Sequence, residues 1–193
     1  LDGTVISTAF FGADVDISGQ DVGGLVDLNA ADRATLERLF AQFAPERAEE
    51  IAATVVEARG APGAGRAAFA SKTDAIAALR EPLRSAALPA FDHLTVHSGR
   101  AQIDPDTATA PALAAAADVP LDAARRFVAE RLLNGRRAVL PEDADLDALA
   151  VSDLSTVRLT VRAATPGGGR AVVVAVLRAT SSPRAPVSVL SWR

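Results

Sequence analysis

An α+β fold is expected for this chain of 193 residues: one sheet built from both ends of the sequence, interrupted by a long helical insertion. Three observations carry that expectation. Residues 1–24 have strand character, residues 25–153 shift to helical periodicity with dense alanine, and residues 154–193 return to alternation every second residue. No flexible linker separates these parts. The sheet domain is therefore expected at 1–24 and 154–193, and the inserted helical domain at 25–153.

The elements follow in order. Val5, Phe10 and Phe11 mark a first strand, and Val15-Asp16-Ile17 alternates as a second; residues 19–24, with three glycines, read as the turn that closes them. Asp32 is the expected N-cap of a helix carrying Leu36 and Leu39, because its short carboxylate can accept from open first-turn amides. A break at Phe43-Ala44-Pro45 leads to a second helix with Ala48, Ile51, Ala52 and Val55 on one face, ending before Gly60. Ser71-Lys72-Thr73-Asp74 has the spacing of a capping box for a helix with Ile76 and Leu79. Thr109 is a further N-cap, with Pro111 in the first turn, where its missing N–H costs nothing. After Asp118-Val119-Pro120 comes a helix presenting Ala124, Phe127, Val128 and Leu132, stopping at Asn134-Gly135. Asp143, Asp145 and Asp147 are expected to lead one more helix near Leu146 and Leu149. Val157, Leu159 and Val161 then alternate with Arg158, Thr160 and Arg162 as a strand, and 165–169 forms a hairpin turn. Residues 171–180 read as a more buried strand, and Val187 to Trp192 as the last, with Trp192 packed in the core.

Composition narrows the function. The chain has no cysteine, tyrosine or methionine and only two histidines, which removes thiolate chemistry and Cys-based zinc sites and leaves few bases or nucleophiles. Its net charge of -4 opposes the basic footprint that nucleic-acid binding draws on. The longest strongly apolar run, 171–177, is far shorter than the roughly 20 residues a membrane helix needs. A soluble chain is expected. The absence of an initiator Met points to a longer precursor.

The helical region contains an internal repeat. Val26-Asp27-Leu28-Asn29-Ala30-Ala31-Asp32 and Ile103-Asp104-Pro105-Asp106-Thr107-Ala108-Thr109 each run into a capped helix, a short break and a second helix. Such pairs resemble the helix-hairpin-helix unit of DNA-uptake receptors. In that unit, glycines let the turn's backbone amides reach a phosphate. Here the turns read Ala41-Gln42-Phe43-Ala44-Pro45-Glu46 and Ala117-Asp118-Val119-Pro120-Leu121-Asp122: no glycine, a carboxylate beside each, and a proline without a donor. A nucleic-acid-binding helix-hairpin-helix module is the alternative reading, and the degenerate turns count against it.

Other motifs are more specific in combination. Leu1-Asp2-Gly3, then Asp21-Val22-Gly23-Gly24-Leu25-Val26-Asp27-Leu28-Asn29-Ala30, Leu94-Thr95-Val96-His97-Ser98-Gly99, 103–108 and the closing Val189-Leu190-Ser191-Trp192-Arg193 occur in this order along the whole chain. Together they resemble the minor pseudopilin K family of the type II secretion system. Val22 departs from the acidic residue common there, and the cysteines of some members are lacking. The resemblance implies a pilin-like fold with two degenerate helix-hairpin-helix-like repeats in its insertion. It implies a structural, non-enzymatic subunit at the tip of the periplasmic pseudopilus, bound to I-like and J-like minor pseudopilins and capping the filament during protein export. It also implies that the full protein is anchored in the inner membrane by an N-terminal helix missing from this chain. Nucleic acid is not an expected partner.

No catalytic or cofactor-binding residue is assigned. His93 and His97 flank an expected strand, without the glutamate after His93 that a helical zinc-protease motif requires. Ser98 lacks the upstream glycine of a nucleophile elbow. The glycine-rich stretch 60–66 follows a helix and lacks the Lys-Ser/Thr pair of a phosphate loop. Calcium binds in the helical domain of some members of the resembled family, and Asp104, Asp106, Asp143, Asp145 and Asp147 offer oxygen ligands. They show no complete calcium-loop pattern, and capping accounts for Asp106 and Asp143. The metal ligands stay unknown.

Overall fold

A computed structural model describes residues 1–60, 68–134, 138–152 and 156–192. Among these, the strands are β1 (Asp2–Phe10), β2 (Ala13–Asp21), β3 (Val26–Asp27), β4 (Leu94–Thr95), β5 (Thr156–Ala164), β6 (Arg170–Ala179) and β7 (Val187–Trp192). The helices are α1 (Arg33–Ala41), α2 (Ala48–Arg59), α3 (Lys72–Ala78), α4 (Leu83–Ala87), α5 (Ala110–Ala116) and α6 (Leu121–Asn134). The chain divides into two compact units, Leu1–Val22 with Asp153–Arg193, and Gly23–Ser152. No helix among the described residues is long and apolar enough to cross a membrane.

The first unit is an antiparallel sheet in the order β1-β2-β5-β6-β7. Its register sorts side chains onto two faces, because directly opposed residues share a face. Ile6, Ile17, Val161 and Val173 form one apolar row across four strands, while Ser7, Asp16, Arg162 and Val172 form a mixed row on the other face. Residues 19–21 are not a turn: they end β2, paired with Leu159, Arg158 and Val157. The ladder overrides the turn preference of Gly19, whose missing side chain leaves room for the Leu1 side chain, 2.9 Å from where a Cβ would stand. The actual turn is Phe11-Gly12, so Phe11 leaves the strand. β6 is buried only at Ala175 and Val176. Trp192 is 72% exposed, contrary to its expected place in the core. Trp192 stands on β7, an outer strand with a neighbouring strand on one side only.

The second unit holds the contiguous apolar core, including Leu28, Leu36, Leu39, Phe40, Ile51 and Leu113. Alanine's role is visible in α5, where Ala112, Ala114, Ala115 and Ala116 are all buried beside Leu113. Small side chains let α5 approach α1 and α6 at once. In α6, Ala124 and Phe127 are buried, but Leu132 is 56% exposed and Arg131 takes the inward position instead. Only a short 3₁₀ turn forms at Leu146–Ala148. Asp145, not Asp143, caps it by accepting from the Asp147 N–H at 3.0 Å. Longer helix is prevented because Leu149 turns extended and bridges Ile103 in parallel.

Three caps agree with the sequence. Asp32 accepts from the Thr35 N–H, Thr109 from the Ala112 N–H, and Ser71 forms a reciprocal capping box with Asp74. The Thr35 N–H, 2.6 Å from Asp32, is the main cause that holds this carboxyl below its ordinary value of 3.8. A depressed folded-state pKa supplies stability above the unfolded-state value, which is lost as pH falls through the folded one. Asp32→Ala is expected to cost about 1 kcal/mol at neutral pH. In urea titrations the gap from the parent protein should narrow once the pH drops below about 4; a gap constant down to acid pH would contradict the charge-assisted cap.

Candidate functional site

The chemistry-bearing side chains of the second unit gather at two places, one in each repeat. In the first, Val26 of β3 pairs in parallel with Leu94 of β4, and the Leu28 N–H donates to the Thr95 carbonyl. This places the wholly buried Asp27 against the segment after β4. One carboxylate oxygen accepts from the Asn29 N–H at 2.8 Å. The other accepts from the Ser98 N–H at 2.9 Å, the Ser98 hydroxyl at 2.8 Å and the Gly99 N–H at 2.8 Å. Arg59, at the end of α2, donates to the Leu28 carbonyl at 2.7 Å. Burial pulls the Arg59 guanidinium below its ordinary value, while the Asp27 and then the Asp32 charges pull it back up.

The second repeat reproduces this brace with different residues. Ile103 bridges Leu149 in parallel, and the Ala150 N–H donates to the Ile103 carbonyl. Asp104, 4% exposed, accepts from the Asp106 N–H at 2.9 Å and, through its other oxygen, from the Ser152 N–H at 3.0 Å. Arg131 of α6 donates to the carbonyls of Pro105 and Ala108. Asp27 thus corresponds to Asp104, Asn29 to Asp106, and Arg59 to Arg131. Each arginine reaches the carbonyl directly after the buried aspartate. The two halves are also tied together: Arg38 of α1 donates to the Ala115 carbonyl at 2.7 Å and lies 3.6 Å from the Asp118 carboxylate. The Asp104 N–H donates to the Gly23 carbonyl at 2.8 Å.

These contacts explain the sequence candidates. Ser98 donates through its N–H and its hydroxyl to the Asp27 carboxylate. His93 stacks on Phe43, with centroids 5.5 Å apart, and its Nδ1 is 3.0 Å from the Thr109 hydroxyl. His93 and His97 flank β4 as expected. Asp104 already serves two backbone amides, and Asp145 serves the amide of its own turn. Among the described residues no three His, Cys, Asp or Glu side chains gather to hold a metal ion. Most of the glycine-rich stretch 60–66 lies outside the described residues. The turn after α5 is closed by the Val119 N–H donating to Ala114, with Asp118 in the left-handed region at φ 54°, a Schellman-type cap. The Val119 amide is therefore committed to the protein's own helix.

Sequence reasoning missed the role of Asp27 and Ser98, which lie 71 residues apart. The repeat already places Asp27 and Asp104 at one position, each followed one residue later by Asn29 or Asp106, but it carries no sign of the distant donors they serve. Sequence reasoning also missed Phe10 and Phe11 as a surface feature. They form an edge-to-face pair, 4.5 Å between centroids, at the exposed β1–β2 turn.

A five-stranded antiparallel sheet whose sequence is interrupted by a helical insertion defines a pilin-like α+β fold. A chain of the crystal structure of the GspK-GspI-GspJ complex from the enterotoxigenic Escherichia coli type 2 secretion system is similar to it. The match has a TM-score of 0.60 and 16% identity, and covers 98% of this chain and 82% of that chain. No protein-family model matches the sequence, and no curated protein does.

Proposed function

We propose that this chain is the periplasmic part of a K-like tip minor pseudopilin, a structural and non-enzymatic subunit of a type II secretion system. The observation that supports the reading most is the end-to-end fold likeness to a chain of a pseudopilin complex, sheet and insertion included. The ordered motifs, from Leu1-Asp2-Gly3 through Ser191-Trp192-Arg193, add to it. On this reading the full protein is held in the inner membrane by an N-terminal helix. The sheet unit joins I-like and J-like minor pseudopilins, and the helical unit caps the filament.

The mechanism is one of shape and rigidity. A cap that blocks addition of further subunits must keep its form under load. The paired braces supply this, because each fixes a loop to a helix through a buried aspartate and an arginine that donates to the backbone beside it. Co-expression with the I-like and J-like pseudopilins of the same operon is expected to yield a stable complex with one copy of each. A chain that elutes alone, with both partners folded and present, would remove the proposal.

A further inference from the structure

We infer that the β1–β2 hairpin, with Phe11 at its tip and the β1 edge beside it, is a docking element that seats in an apolar socket of a neighbouring pseudopilin-like subunit. The inference rests on the proposed function and names the surface through which the sheet unit engages its partner.

The turn itself is the first observation. Phe10 pairs with Ala13, leaving Phe11 and Gly12 as a two-residue turn with φ 47° and 78°. Both values are positive, as in a type I′ turn, which favours Asn-Gly because a bulky side chain is strained in the left-handed region. Phenylalanine stands at the strained position, and Phe11 is 95% exposed. The fold gains little from it: its ring contact is with Phe10, itself 65% exposed. A strained Phe11 beside an exposed Phe10 is the opposite of what stability favours, and residues of this kind mark contact sites.

The adjoining edge defines what covers it. Residues 3–12 carry no charge and no proline, and β1 is an outer strand. Its bulge lies only between Asp2 and Val5, leaving 5–10 in regular register. Open strand edges are ordinarily blunted by charge, proline or irregularity. An unblunted one is met by another extended backbone, with alternate side chains giving specificity. Ile6, 67% exposed, and Phe10 lie on the same face, so the incoming segment should be apolar there. Near the tip, on the face opposite Ile6 and Phe10, Asp14, Asp16, Arg162 and Arg170 line a depression of about 330 Å³. Two acids and two bases give no net attraction to an anionic bilayer, but suit a protein rim of mixed charge.

The test measures binding of the chain to the periplasmic domains of the I-like and J-like subunits from the same operon. Phe11→Asn should weaken binding to one of them at least about 30-fold, as for an aromatic hot spot, while raising the thermal midpoint. Ile6→Lys, which charges the edge, should weaken the same interaction without unfolding the sheet. Unchanged binding by both variants overturns the inference and leaves the pseudopilin reading standing. Failure of the parent chain to bind either subunit overturns both. Co-sedimentation of the parent, but not of Phe11→Asn, with phosphatidylethanolamine–phosphatidylglycerol vesicles, with subunit binding unaffected, assigns the tip to the bilayer and overturns the socket.

Discussion

Asp27→Ala is expected to destabilise the helical unit by about 3–5 kcal/mol, a large share of an ordinary domain's stability. The carboxylate receives the Asn29, Ser98 and Gly99 amides and the Ser98 hydroxyl inside a site with no solvent exposure. Removing it strands buried donors, each costing about 1–3 kcal/mol when unsatisfied. It also removes the charge opposite Arg59. Asp27→Asn keeps the volume but turns an NH2 group toward N–H donors, so it should lose a smaller, still measurable part. Asp104→Ala strands fewer groups and should cost less than Asp27→Ala. Urea unfolding followed by far-ultraviolet circular dichroism orders the three; a loss below about 1 kcal/mol for Asp27→Ala would show that water takes over the carboxylate's role.

The second large effect is expected at Gly24. A Cβ there would lie 2.4 Å from the carbonyl carbon and oxygen of Thr107 and 2.6 Å from the Ala108 nitrogen. All three are backbone atoms, so no side chain can swing aside. Thr107 and Ala108 belong to the second repeat's loop, and the Thr109 N–H donates to the Gly24 carbonyl at 3.4 Å. Gly24→Ala must push that loop away from the first repeat, at an expected cost of about 3 kcal/mol. Gly99→Ala provides a contrast, because its Cβ would meet open space and its penalty comes only from a positive φ of 67°. If both variants cost the same, backbone conformation rather than close approach governs Gly24.

What could be read from the residues depended on how local the cause was. Caps at Asp32, Ser71 and Thr109 are set within four residues, and the sequence carries them fully. The strand pattern at Val157, Leu159 and Val161 is likewise local, and so is the 165–169 turn. Errors fell where distant partners decide. Gly19 to Asp21 became strand because β5 pairs with it, and 143–149 stayed largely non-helical because Ile103 claims Leu149. Trp192 was expected inside because large aromatics usually are, yet burial depends on what covers an open sheet. The Asp27–Ser98 contact has no local signature at all.

Asp104 has a topological consequence as well. Its own N–H holds the Gly23 carbonyl, and its carboxylate holds the Ser152 N–H, so one residue grips both ends of the inserted unit. The strands that leave and rejoin the sheet, β2 and β5, are neighbours. Closing a disordered loop of about 130 residues would cost roughly 3 kcal/mol more entropy than closing one of about four. With its ends pinned together, the folded insertion presents itself to the sheet as a short connection. Segments of its interior that leave the Asp104 contacts in place can therefore change length with little penalty to the ladder.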